Sequence, residues 1–187
     1  LEVLKKASVP MVVIPEEPTG ESVIARIEAV GKALGLEDKA KAIAADVSRD
    51  LEAAQKISAN QNPRKRVLFI MSAQEGRIMA SGTGTGANGI ITLAGGVNAI
   101  DSYQGYKQLT DEAVEKAAPD LILTMTIGKD SVQKEDLLKH PALANSPAGR
   151  SGNIVQMDSL SLLGFGPRTG AASRELSEKL YGKQAAN

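Results

Sequence analysis

Three short apolar runs constrain this chain more than any other feature: RVLFIMS (Arg66–Ser72), LILTMT (Leu121–Thr126) and NIVQMD (Asn153–Asp158). Each is short for a buried helix, and their branched and long aliphatic side chains suit a pleated strand. A strand with one wet face alternates apolar and polar residues. The first two runs are continuously apolar instead, which requires cover on both faces. Between the runs lie segments of helical character: about Ala87–Leu93, Thr110–Ala118, and Gly170–Tyr181 with Leu176 and Leu180 at i, i+4. A short strand at Ile78–Ser81 precedes the first helix, and a turn at AGGVN follows it. Strand alternating with helix predicts an α/β lobe from about Pro63 onward, with a mostly parallel sheet flanked by helices.

Upstream, the texture is different. VPMVVIPEE (Val9–Glu17) reads as one short buried strand closed by proline. Val23, Ile27, Val30 and Leu34 then form a stripe at i, i+4, i+7 and i+11, with Thr19 or Ser22 available as the cap. Gly35 interrupts the stripe, which Ile43, Val47, Leu51 and Ala54 resume. About Glu21–Ala59 is therefore two helices or one kinked helix. A single strand without a sheet leaves backbone groups unpaired, so its partners are expected in a missing amino-terminal lobe. The division that follows is 1–20 as a remnant of the amino-terminal lobe, 21–60 as the inter-lobe linking helix, and 61–187 as the carboxyl-terminal α/β lobe.

Composition removes most chemistries. Lysine and arginine number 22 against 22 acidic residues, so the basic excess of a nucleic-acid binder is missing. The chain has no cysteine, which excludes thiol catalysis, disulfides and thiolate metal sites. One histidine leaves little for a catalytic triad or a histidine-rich metal centre. Aromatics are 3% of residues, too few for a base-stacking surface. No apolar run reaches the ~18 residues of a membrane span. The opening at Leu1, without methionine, suggests a processed or trimmed product. Neither a catalytic set nor a metal site is expected.

Several residues carry two readings. In ASGTGTGANG, Gly82, Gly84 and Ala87 satisfy G-x-G-x-x-A, with Asp101 further on, as a dinucleotide site would have them. The alternative is a tight strand-to-helix turn that needs positive φ at a glycine. His140, just before Pro141, is read as the solvated end of a short helix, or else as a metal ligand. Tyr103 and Tyr106 are pocket walls or covers of a sheet edge. Glu112 falls in a helix's first turn, where it favours the dipole. Met71, Met79 and Met125 suit gaps in a core or pocket.

From Arg66 onward, RVLFIMS, GTGTGANGIITLAGGVNAI, GYKQLTDEAVEKAAPDLILTMT, SPAGRSGNIVQMD and LLGFGPRTGAASREL resemble periplasmic haem-binding proteins, the substrate-binding components of bacterial haem ABC transporters. Upstream, LKKASVPMVVIPEEPTGESVIARIEAVGKALG resembles the end of that family's first lobe and its joining helix. The resemblance implies two α/β lobes linked by a long helix, with haem held in the cleft between them and no nucleotide in the glycine loop. It implies that this chain is mainly the carboxyl-terminal lobe, and that a tyrosine ligand to the ferric iron lies upstream. The histidine that some relatives place after the first strand is absent from Ala73–Arg77, and Ile127 stands where several have a basic residue. Loops 73–77, 82–86, 101–107 and 127–131 are expected to face the mouth. Arg77 and Lys129 are then candidates for the haem propionates, and Tyr106 and Met79 for the porphyrin face. Glu112, with Asp111 as the competing neighbour, is the candidate contact to the membrane permease. A monomer in the periplasm, or lipid-anchored outside a Gram-positive membrane, is the expected setting. Alternatives are a ferric-siderophore or cobalamin carrier of the same fold, a dinucleotide-dependent oxidoreductase, and a lone interaction module.

Overall fold

The structure is a computed structural model that describes residues 11, 12, 14, 16–74, 76–127 and 130–182. Its centre is a seven-stranded sheet built on β1 (Arg66–Gln74) and β5 (Leu121–Ile127), which run side by side in parallel, Val67 opposite Leu121 through Ile70 opposite Thr124. β7 (Ile154–Asp158) adds in parallel to β5, and the two-residue β3 (Val97–Asn98) adds in parallel to the start of β1. The remaining pairings are antiparallel. β2 (Arg77–Ser81) folds back on β1, β4 (Tyr106–Leu109) extends β2, and β6 (Asp130–Ser131) folds back on β5. The sheet is thus parallel through its middle, and its antiparallel margins were not legible from the apolar runs.

Side-chain alternation divides β1 and β5 between two cores. Val67 and Phe69, with Leu121, Leu123 and Met125, point to one face; Leu68, Ile70 and Ile122 point to the other, all of them buried. The first core is closed by α1 (Gly20–Leu34), α2 (Glu37–Ser58), α3 (Gly86–Leu93), α8 (Ser159–Leu163) and α9 (Thr169–Tyr181). The second is closed by α4 (Asp111–Ala117), α5 (Lys134–Leu138), α6 (Pro141–Ala144) and α7 (Pro147–Ser151). Burying one such side chain completely is worth roughly 1.5–3 kcal/mol, so a continuously apolar strand stabilises both layers at once.

The segment upstream of the sheet is two helices, one of the two arrangements its interrupted stripe allowed. Thr19 caps α1 by accepting from the Ser22 amide, and Gly35 ends it in the left-handed region at φ 65°. The chain then reverses. Gly20 packs beside Leu51 near the far end of α2, and Gly31 lies against Ala40 near its start, which makes the pair an antiparallel hairpin. Of the expected stripe, Val23 and Ile27 are buried, whereas Val30 and Leu34 are exposed. The strand expected at Val9–Glu17 lies partly outside the described residues. Its described members, Met11, Val12, Ile14, Glu16 and Glu17, are not in a strand, and Val12 is exposed.

Because a side chain at Gly31 would collide with the Cβ of Ala40, this close crossing is specific to glycine. Gly31→Val is expected to lower unfolding stability by about 1–3 kcal/mol through overpacking, read from the urea midpoint. Leu34→Ala, at an exposed position, should leave that midpoint nearly unchanged.

Candidate functional site

The parallel strands finish together at one end of the sheet, where α/β proteins place their ligands. β1 ends in a tight hairpin with Gln74 opposite Arg77, β5 ends at Ile127, and β7 ends at Asp158. Four loops were expected to gather here, and only two do. β2 runs antiparallel, so it carries the chain back from this end: Ala80 pairs with Ile70, which sets Ser81 level with Phe69 in the middle of β1. Loops 82–86 and 101–107 therefore lie beside the sheet's middle, joined by the Thr83–Gln104 bridge and the Ser81–Tyr106 pair. Of the other two loops, the described residues 73, 74, 76, 77, 127, 130 and 131 are at the carboxyl end.

Register nevertheless brings three of the candidates onto one face. Ile78 and Ala80 belong to the second core, so the alternating Arg77 and Met79 point to the opposite side, and Tyr106 joins them opposite Ser81. Arg77 is exposed, whereas Met79 and Tyr106 are half-buried. Tyr106 meets Phe69 edge-on, centroids 6.5 Å apart at 63°. Met71 is half-buried against the same core. Arg77, Met79 and Tyr106 occupy a length of ~13 Å along β2 and its neighbour at strand rise. Lys129 lies outside the described residues. Glu112 is exposed in the first turn of α4, which packs on the other core, so it stands apart from the other three.

The glycine loop is occupied by its own chain. The Gly82 amide donates to Gly105 O at 2.8 Å, and the Thr83 amide to Tyr103 O at 2.9 Å. Thr85 caps α3, its hydroxyl accepting from the Asn88 amide at 3.0 Å and lying 2.6 Å from the Ser81 hydroxyl. Asn98 Nδ2 donates to Ser81 O and Gly82 O. A phosphate cradle needs such amides unspent. Gly82 is required because the Tyr103 ring lies where a side chain would go, and Gly84 because φ is 70°. Tyr103 packs against the second core, donating its hydroxyl to Ala80 O at 3.2 Å, and burial pushes its phenol pKa up.

His140 is not a solvated helix end. Its side chain is 14% exposed, Nε2 lies 3.4 Å from Asp111 Oδ1, and Nδ1 is buried with no hydrogen-bond partner. The ring sits between α5 and α6, against a hollow of about 530 Å³ shared with Ala73, Gly76 and Ile78 of the β1–β2 hairpin. No three His, Cys, Asp or Glu side chains converge as a metal set among the described residues.

Asp158 was missed. It ends β7 at the ligand end and caps α8, with Oδ1 accepting from the Ser161 amide at 2.9 Å and the Ser161 hydroxyl at 2.8 Å. An aspartate after an apolar run, with serine three residues on, is a legible cap spacing. The Ser161 contacts, hydroxyl first, hold its carboxyl below the ordinary range, with a smaller contribution from Arg168.

A profile of the periplasmic binding protein family matches residues 1–160, and the chain belongs to that family. It is 34% identical, over 95% of its length and 68% of the other chain, to the periplasmic haem-binding protein BhuT solved with two haems, with a TM-score of 0.83. It is 32% identical to the apo periplasmic haem-binding protein RhuT from Roseiflexus sp. RS-1, over 96% of this chain and 70% of that one, with a TM-score of 0.84. A Bacillus subtilis (strain 168) relative, the uncharacterised ABC transporter substrate-binding lipoprotein YvrC, is 26% identical over 95% of this chain. The chain spans 56% of that relative's length.

Asp158 should titrate below the ordinary carboxylate range, and Ser161→Ala should move its midpoint back up, as read from carboxyl carbon shifts by NMR. A lowered folded pKa means that the cap contribution is present above the unfolded value and is lost as pH falls through the folded one. A midpoint unmoved by Ser161→Ala refutes this assignment of cause.

Proposed function

We propose that this chain forms one wall of a haem-binding cleft in the substrate-binding component of a haem ABC importer. The observation that carries this is the likeness to BhuT, over nearly the whole chain, together with three candidate residues falling on one sheet face. In this reading Arg77 and Lys129 pair with the propionates, a guanidinium matching a carboxylate through two parallel hydrogen bonds. Met79 and Tyr106 pack on the macrocycle, thioether and phenol each meeting a flat π surface. A second lobe supplies the opposite wall and the ligand to iron. The chain performs no chemistry; its work is to hold haem and release it at the permease. It acts outside the inner membrane, in the periplasm or on a lipid anchor, as a monomer.

Glu112 serves a different contact. It is exposed, on the opposite side of the sheet from Arg77, and belongs to a helix whose first turn also carries Asp111. An exposed carboxylate there suits recognition by basic permease residues, where charge steers the encounter more than it tightens it.

Hemin titration of the full polypeptide should give a saturable Soret band, whereas a ferric siderophore or cobalamin should not compete. Competition by either would move the specificity to that ligand. Arg77→Ala and Lys129→Ala should each weaken hemin binding by roughly tenfold, the order of one charge-assisted contact. Unchanged affinity removes that residue from the cleft.

Glu112→Lys is expected to leave hemin affinity intact and slow uptake in reconstituted transporter vesicles. Uptake at the normal rate would end the docking role.

A further inference from the structure

Methionine collects in one row across the sheet. The chain has five methionines, and four of them, Met71, Met79, Met125 and Met157, stand on the neighbouring strands β1, β2, β5 and β7. Met125 pairs directly with Met157, and Met71 lies one residue past the Ile70–Thr124 pair, level with Met125. Met79 pairs with Ser72, and the register shift between Ile70 and Ser72 falls at Met71, which sets Met71 and Met79 side by side. Met71, Met125 and Met157 pack in the first core, and Met79 faces the same way, alternating with Ile78 and Ala80 of the second. Toward the amino ends of β1, β5 and β7 that face carries Val67, Phe69, Leu121, Leu123 and Val155, so each strand changes to a thioether at one level. The row spans ~14 Å at the spacing of neighbouring strands.

Burial falls along the row. Met125 and Met157 are 6% and 5% exposed, whereas Met71 and Met79, on the side of Tyr106 and the proposed ligand wall, are half-buried. Leucine fills such space about as well as methionine; what sulfur adds is polarisability and a lone pair open to oxidation. The chain has no cysteine, so its sulfur is all thioether and none of its own thiols competes for an oxidant. Hydrogen peroxide passes one oxygen to a thioether: the sulfur lone pair forms the S–O bond, the O–O bond breaks, and water leaves. Sulfur gives up two electrons and peroxide takes them. A flexible apolar group becomes a polar, chiral sulfoxide.

We propose that Met71 and Met79 form a reversible oxidation site through which peroxide disables the ligand face. The loss of cargo rests on the reading of this face as a haem wall; the oxidation site itself does not. At Met79 the new oxygen enters a surface that must meet an apolar macrocycle, where a polar atom without a donor is costly. At Met71 it is driven against the first core, beside the bulge that joins β1 to β2. Peroxide reaches Met125 and Met157 only when the sheet opens, so the inner half of the row keeps the fold while the outer half responds. Two sulfoxide reductases, one for each epimer, reverse the change with a thiol reductant. The oxygen leaves as water, and two thiols become a disulfide.

The test treats the full natural polypeptide, free of ligand, with hydrogen peroxide and follows its methionine peptides by mass spectrometry. Met71 and Met79 should oxidise about tenfold faster than Met125 and Met157, or more. Equal rates, or faster reaction of the buried pair, overturn the site. Once the outer pair alone is oxidised, hemin affinity should have fallen roughly tenfold, the order of one unpaired oxygen in an apolar contact. Both reductases with dithiothreitol should restore it. Met71→Leu/Met79→Leu, a swap that nearly keeps volume, is compared with itself before and after peroxide, whatever its starting affinity, and should not change on treatment. Outer-pair oxidation without loss of affinity, an equal loss in the double variant, or a loss the reductases leave in place each overturns the proposal. Absence of a Soret band from the untreated protein sinks the haem assignment alone. The site is then judged by the urea midpoint, which should fall on outer-pair oxidation, recover with the reductases and hold steady in the double variant. A midpoint that does not move overturns the site as well.

Discussion

Burial of β1 and β5 on both faces is the constraint from which the rest of the structure follows. Val67, Leu68, Phe69, Ile70, Ile122 and Leu123 are fully buried, and consecutive residues serve different cores. Two apolar faces need two helical layers, and parallel neighbours need crossover connections, so the chain must alternate strand and helix. The parallel strands must then end together. Arg66 fixes the amino end of this arrangement: its amide donates to Asp120 at 2.8 Å, and its guanidinium to Ala117 O and Ala99 O. Tyr181 fixes it from the last helix, its hydroxyl donating to Gly95 O and accepting from the Lys65 amide.

The parts of the fold that could be read in the sequence are those set by local pattern. The three apolar runs are the strands β1, β5 and β7, and Thr19, one of the two residues offered as a cap, caps α1. What escaped depends on partners far along the chain. β2 was recognised as a strand, but its reversal against β1 is a pairing choice, and it takes loops 82–86 and 101–107 away from the ligand end. His140 looks solvent-facing in LLKHPALA because nothing local covers it; its neighbours come from the β1–β2 hairpin and α4. Arg77, Met79 and Tyr106 come together only through two strand registers, although each was chosen separately from its loop.

The two proposed contacts lie on opposite sides of one rigid layer. Met79 and Tyr106 are on the face of the first core, and Glu112 is on a helix of the second. A ligand wall and a docking carboxylate placed this way do not compete for space or charge. They can nevertheless be displaced together, because a sheet packed on both faces moves as a body and does not bend locally. In the proposed carrier, such a recognition surface would report the position of the sheet without touching the cargo. Electrical neutrality agrees with this, since 22 basic and 22 acidic residues leave recognition to placed charges and not to a general field.

One stripe of residues makes the remaining step. Val23, Ile27, Val30 and Leu34 share a helical face, yet burial fails halfway along it. Ile43, Val47 and Leu51 on α2 repeat the pattern, exposed at the tip and buried below. The helical period is intact throughout, so nothing local explains the change. Sheet, α8 and α9 cover only the lower part of the hairpin, and Gly31, at the crossing with Ala40, keeps the two helices too close for the tip to fold its own apolar side chains inward. The lower half of each helix is thus fixed by the core of this lobe, and the upper half is held by its partner helix alone.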